Sequence, residues 1–166
     1  MEHVTIKDAE RMTSPNPFAL VATRKEDGTA NVMALSWWTY VSNSPATVAI
    51  CTSDRGLTGS LIKKNGEFTL SMPDESIKEA AFLCGTRSGR DCDKAAEFGI
   101  ELEDGETVGA PHVRMSALVL ECRLVNAVAV GDHTMYIAEV TSVLADASRR
   151  PVFAAEGYKR LTAVDI

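Results

Sequence analysis

Apolar residues come in short runs separated by turn-forming residues, and few stretches keep a helical period for long. Phe18-Ala-Leu-Val-Ala-Thr23 has strand length and predicts a first strand. Lys25-Glu-Asp27-Gly28-Thr29 predicts a tight turn, because Asp-Gly tolerates the positive φ that a hairpin requires. Ala30 to Tyr40 is then expected to return antiparallel as one strand. Pro45 closes the next connection, and Ala46 to Cys51, rich in β-branched residues, predicts a third strand. Glu67 to Met72 reads as another, stopped by Pro73. Met115 to Ala129 is a long strand pattern, Gly131-Asp132 a turn, and His133 to Leu144 its partner.

Between these strands the period changes. Gly56 to Asn65 predicts a helix, with Leu57, Leu61 and Ile62 on one face and Gly66 at the C′ position. Ser76 to Cys84 predicts a second, with Ser76 as cap and Ile77, Ala80 and Ala81 inward. Asp91 to Phe98 predicts a third, ended by Gly99. Pro151 to Leu161 carries no clear pattern. Strands dominate and helices are short insertions, so a mainly β barrel is favoured over a doubly wound α/β sheet. A G-x-G-x-x-G fingerprint and a Walker motif are both absent, so any nucleotide is held another way.

The 166 residues, 45% hydrophobic and 24% charged, suit one domain over 1–166 that needs no disulfide or metal to hold a core. A net charge of −6 gives phosphate-backbone binding little support, so nucleic acid is not expected as a partner. No apolar run approaches the ~20 residues of a membrane span. The opening residues are polar and mixed in charge, unlike a secretory signal, and the expected location is cytoplasmic. The four cysteines, Cys51, Cys84, Cys92 and Cys122, show no C-x-x-C pair, so no metal site is expected. Cys51 and Cys122 lie in apolar strands and read as buried thiols. Cys84 and Cys92 flank a Gly-Thr-Arg-Ser-Gly loop.

Candidate chemistry concentrates between Asn31 and Thr58. Ser53, Arg55 and Thr58 cluster at the start of the first helix, where unpaired N–H groups and the helix dipole favour an anion. Arg55 has the fork geometry for phosphate oxygens. The same residues also read as a helix cap and a solvated charge, and Asp54 is an unfavourable neighbour for an anion. Asn31, Ala34, Leu35 and Ser36 are small or hydrogen-bonding residues on a strand; they fit a slot for a flat, mostly apolar ligand, or a half-buried strand with a polar face. Trp37 and Trp38 point to opposite sheet faces. His133 lies just past the Gly131-Asp132 turn, as a ligand contact or a surface histidine. Ser88-Gly89-Arg90-Asp91-Cys92-Asp93-Lys94 joins a glycine turn to a charged helix start, as a ligand contact or a solvated loop. His112 reads as structural or exposed. No Ser-His-Asp or paired-carboxylate arrangement is evident.

Five separated blocks resemble the flavin reductase-like family, particularly its flavoredoxin-like branch. They are Asn31-Val-Met-Ala-Leu-Ser36-Trp, Ser53-Asp-Arg55-Gly-Leu-Thr58, Gly66-Glu67-Phe68 with Pro73, Ser88-Gly89-Arg90-Asp91 with Asp93-Lys94, and Gly131-Asp132-His133-Thr134 with Glu139-Val140. Tyr158-Lys-Arg160-Leu161 is weakly similar to a further tyrosine-containing segment. The resemblance implies a six-stranded Greek-key split β-barrel with short helices, and a homodimer with FMN near the subunit interface. It implies that Asn31, Ser36, Ser53, Arg55 and Thr58 face the flavin or its phosphate, and that His133 lies on the nicotinamide side. Two positions depart from the pattern: Ala34 stands where a hydroxyl is common, and Cys92 where an aliphatic residue is common. The expected function is an FMN-binding oxidoreductase that passes electrons from NAD(P)H through flavin to a small-molecule or protein acceptor. The alternative is an FMN-holding electron-transfer protein without NAD(P)H activity of its own. A third class is a barrel that has lost flavin and senses a small molecule or haem.

Overall fold

The computed structural model describes residues 1–164. A short helix α1 (Ile6–Met12) and strand β1 (Asn16–Pro17) lead into β2 (Ala19–Arg24), β3 (Ala30–Leu35), β4 (Trp38–Asn43) and β5 (Ala46–Ser53). Then come α2 (Leu57–Asn65), β6 (Glu67–Pro73), α3 (Lys78–Leu83), α4 (Lys94–Phe98), β7 (Leu102–Glu103) and β8 (His112–Val113). The long strands β9 (Ser116–Val130) and β10 (His133–Ala145) follow, and β11 (Val152–Ala155) and β12 (Arg160–Ala163) close the chain. The main sheet runs β3-β2-β6-β9-β10-β5-β4, with every ladder antiparallel. A smaller sheet orders β1-β11-β12. Among the described residues no helix is long and apolar enough to cross a membrane.

The structure corrects the reading of Ala30 to Tyr40 as one strand. The segment breaks at Ser36 and Trp37. β3 pairs with β2, whereas β4 crosses to the far edge and pairs with β5. That break gives the main sheet seven strands, against the six that the resemblance implies. The segment Ser76 to Cys84 is also divided: a 3-10 turn, Glu75–Ile77, precedes α3, and Asp74 rather than Ser76 is the cap, accepting from the Ser76 N–H at 2.9 Å. α4 starts at Lys94 and not at Asp91, because the Asp93 carboxylate accepts from the N–H groups of Ala95 and Ala96 at 3.1 and 3.2 Å. Pro151 to Leu161, without pattern in the sequence, contains the β11 strand and the start of β12.

Two apolar clusters explain the unalternated run in β2. Ala19 and Val21 pack into one cluster with Ile50, Phe68, Leu70, Leu120 and Tyr136, inside the main sheet. Leu20 and Ala22, on the opposite face, pack with Phe18, Val32, Val113 and Leu161 beneath α3 and α4. A strand covered on both faces needs apolar residues at every position. α2 closes the main cluster through Ile62. Its Gly59 lies so close to β10 that a Cβ there would stand 2.5 Å from the Tyr136 hydroxyl.

Candidate functional site

β5 ends at Ser53 and the chain turns through Asp54 and Arg55 into α2. The helix begins on Gly56, and no side chain caps it. Its first N–H groups are therefore available to an anion, and the helix dipole adds positive potential there. Ser53 Oγ accepts from the Arg55 N–H at 3.4 Å, which holds the turn. The Arg55 side chain is exposed and Ser53 is half-buried. Asp54, the unfavourable neighbour, is tied to the start of β10. Its N–H donates to the Asp132 carbonyl at 3.1 Å, and its Oδ1 accepts from the Thr134 hydroxyl at 2.5 Å. Arg90 reaches the same corner from a distant loop, its Nη1 donating to the Arg55 carbonyl at 2.9 Å. Two guanidinium-bearing residues thus flank an uncapped helix start.

Thr58 and Asn31 belong to this corner but lie beneath its surface, each 2% exposed. Asn31 Nδ2 donates to Thr58 Oγ1 at 2.9 Å and to Thr23 Oγ1 at 3.4 Å. Because Thr58 accepts from Asn31, its own hydroxyl proton remains free for another acceptor. Gly89 covers Asn31 closely: a Cβ on Gly89 would meet Asn31 Oδ1 at 2.0 Å. At the other end of the same loop, a Cβ on Gly85 would stand 3.2 Å from the Ala34 Cβ. The loop therefore runs along β3, an edge strand of the main sheet.

Past Ala34 lies a cavity of about 380 Å³ walled by Phe18, Ala34, Phe82, Gly85, Thr86 and Tyr158. The walls are mostly apolar, as a planar ligand requires. Tyr158 enters it from a backbone with φ of 58°, next to Glu156 at 54°, and left-handed geometry is costly for such residues. Its ring packs edge-on against Phe18 at 6.2 Å. Ser36 is buried against the Tyr158 phenol, and its hydroxyl makes no hydrogen bond of full geometry. Leu35 turns the other way, into the main apolar cluster, so only its backbone remains for a ligand.

His133 stands directly across from Ser53 in the β5–β10 ladder. Its Nδ1 lies 2.7 Å from Asp132 Oδ1, and its ring packs on Trp37 at 5.0 Å between centroids. Cross-strand rows put Val128, Met135 and Cys51 side by side, and Val130, His133 and Ser53 in the next row on the same face. Val128, Val130, Met135 and Trp37 are exposed on that face. Trp38 points inward and packs on the core.

Other candidates take structural places. Cys84 is buried, and burial pushes its thiol pKa up to about 11; Cys122, likewise buried, is pushed to about 12. Neither is an activated nucleophile. His112 is buried, with Nε2 3.4 Å from Glu103. Among the described residues no cluster of His, Cys, Asp or Glu has the arrangement of a metal site. Arg90, whose segment reads from the sequence as a ligand contact or a solvated loop, reaches the site, and so does Tyr158, which only the weak C-terminal resemblance touched. Their signal was a glycine-flanked arginine and one tyrosine in a segment without period.

The family described as flavin reductase like domain matches residues 11–162. An uncharacterized protein of Archaeoglobus fulgidus is 32% identical over 113 residues, 68% of this chain and 64% of that protein. The chain thus spans under two thirds of that relative's length. The NADH-dependent flavin reductase StyB of Pseudomonas fluorescens is 28% identical over 75% of this chain and 68% of its own. Among solved structures, flavoredoxin of Desulfovibrio vulgaris (Miyazaki F) is 28% identical with a TM-score of 0.85, covering 93% of this chain and 89% of that one. The chain belongs to the flavin reductase-like family.

Proposed function

We propose that this chain binds FMN and passes electrons from NAD(P)H through it to a small-molecule or protein acceptor. The observation that carries the reading is the uncapped start of α2 beside Ser53, Arg55 and Arg90, joined by the Asn31–Thr58 hydrogen bond to β3, which carries a mostly apolar cavity. The phosphate is assigned to the α2 corner, where Arg55 and Arg90 supply charge and Ser53 a hydroxyl. The ring system is assigned to the edge of β3, between Ala34 and the loop that begins at Gly85. There the Ser36 hydroxyl, beside the Tyr158 phenol, is assigned to a hydrogen bond with the ring system. Asn31 and Thr58 hold the floor of the site. Bound FMN supplies the redox chemistry, which side chains of this kind lack.

His133 is assigned to positioning the donor, with Trp37 and Asp132 fixing its ring. His133→Ala is expected to slow anaerobic flavin reduction by roughly tenfold, about 1.4 kcal/mol at the transition state, with FMN affinity nearly unchanged. Stopped-flow reduction measures this. A loss of FMN affinity with normal reduction would move His133 to the phosphate corner, beside its neighbour Ser53.

The alternative, an FMN-holding electron carrier, is favoured by the likeness to a flavoredoxin. One experiment separates the readings: the visible spectrum of the purified protein reconstituted with FMN, before and after NAD(P)H without oxygen. Bleaching by either nucleotide supports the oxidoreductase. A flavin spectrum that neither nucleotide bleaches supports the carrier. Failure to take up FMN overturns both.

A further inference from the structure

The wall loop is held at its base by a buried charge. Lys94 is 4% exposed, and its ammonium donates to the Cys84 carbonyl at 2.9 Å. Cys84 is the residue on which α3 ends, and Lys94 is the first residue of α4. The bond therefore joins the two ends of the loop 85–93. A cation at a helix C-terminus is favourable, but burial of an ammonium costs more than an apolar side chain there would. Burial also holds the Lys94 pKa below the usual lysine range. Packing alone gives no reason for a lysine at this place.

The loop it closes touches β3 at two points, Gly85 on Ala34 and Gly89 on Asn31, and sends Arg90 to the Arg55 carbonyl. Inside the loop, Ser88 makes a turn: its hydroxyl accepts from the Arg90 N–H at 3.2 Å and its carbonyl from the Asp91 N–H at 3.1 Å. Arg90 is thus fixed to the loop, and the loop is fixed by Lys94.

We propose that Lys94 is a positioning residue that latches the 85–93 loop and so delivers Arg90 to the phosphate corner. It touches no ligand itself. The proposal rests on the reading of the α2 corner as a phosphate site, and it deepens that reading by naming what sets the preference for a phosphorylated flavin.

Lys94→Met keeps the length of the side chain and removes the charge. Exchange of a buried ion for an apolar side chain is often tolerated, so the variant is expected to fold. FMN and riboflavin affinities are measured for wild type, Lys94→Met, Arg90→Ala and the double variant. Loss of one charge-assisted contact predicts that Lys94→Met and Arg90→Ala each cut the FMN-over-riboflavin preference by about tenfold. The double variant is expected to be no worse than Arg90→Ala alone, because Lys94 acts through Arg90. Hydrogen exchange of the 85–93 amides is expected to quicken in Lys94→Met. Gly89→Ala, which drives the loop off Asn31 with Lys94 intact, is expected to reproduce both effects.

An unchanged preference in Lys94→Met, or losses that add in the double variant, overturns the proposal. A wild type that binds FMN and riboflavin equally overturns the phosphate reading instead. The latch is then decided by exchange: unchanged protection of 85–93 in Lys94→Met rejects it.

Discussion

At Glu121 a carboxylate with no exposed surface accepts from the N–H groups of Glu106 and Thr107 at 2.7 and 2.6 Å and from the Thr107 hydroxyl at 2.6 Å. Burial pushes its pKa up, but these hydrogen bonds outweigh that and the net shift is downward. A carboxyl with a depressed folded pKa adds stability that is fully present above its unfolded value. That part is lost as pH falls through the folded one. Acid melting of the wild type is therefore expected to include a Glu121 part below about pH 4. Glu121→Gln is expected to cost about 1–3 kcal/mol at neutral pH and to flatten that part of the pH profile; thermal melts from pH 7 down to 3 check it. Little of this was legible beforehand: Glu121 sits in an apolar strand run, and its partners come from a segment with no period. Ser53 and Arg55 were legible because the chemistry of a helix start is local. Arg90 was legible only as one of two equal readings and Tyr158 only through a weak resemblance, because long-range packing brings them to the site.

Among elements, α2 shows how local pattern and tertiary fit combine. Its apolar face and the Gly66 stop were readable, and Gly66 takes the left-handed conformation, with φ of 71°. The reason for Gly59 was not, since it depends on Tyr136 across the core. Gly59→Ala gains helix propensity of about 1 kcal/mol yet forces a Cβ against a fully buried ring. Overpacking of that kind costs about 1–3 kcal/mol, so a net loss of stability by denaturant titration is expected, together with weaker FMN binding as the helix start shifts. A more stable variant would show that Tyr136 yields. The break at Ser36-Trp37 escaped the sequence because no Gly or Pro marks it and the lone Ser36 stands between strand-forming residues. Only the return of β4 to the opposite edge of the sheet reveals it.

For the whole molecule, the outer half of the β9–β10 hairpin exposes Val125, Val128, Val130 and Met135, and β4 adds Tyr40 and Val41. Apolar exposure of this extent marks a surface for association. We propose that this surface serves a homodimer with His133 at its rim. Met135→Glu is expected to shift the protein to monomer in light scattering and to weaken FMN binding; a wild type that is monomeric with FMN bound would reject the interface. The strand-rich class of this fold was readable from run lengths and turns, whereas the pairing order was not, because strands distant in sequence pair according to the cores they cover. The most direct test of the account is a paired titration of wild type and Arg55→Ala with FMN and riboflavin. A charge-assisted contact of about 1.5–3 kcal/mol predicts that Arg55→Ala loses roughly ten- to a hundredfold in FMN affinity and far less for riboflavin. Equal losses for the two ligands would contradict a phosphate held at the start of α2.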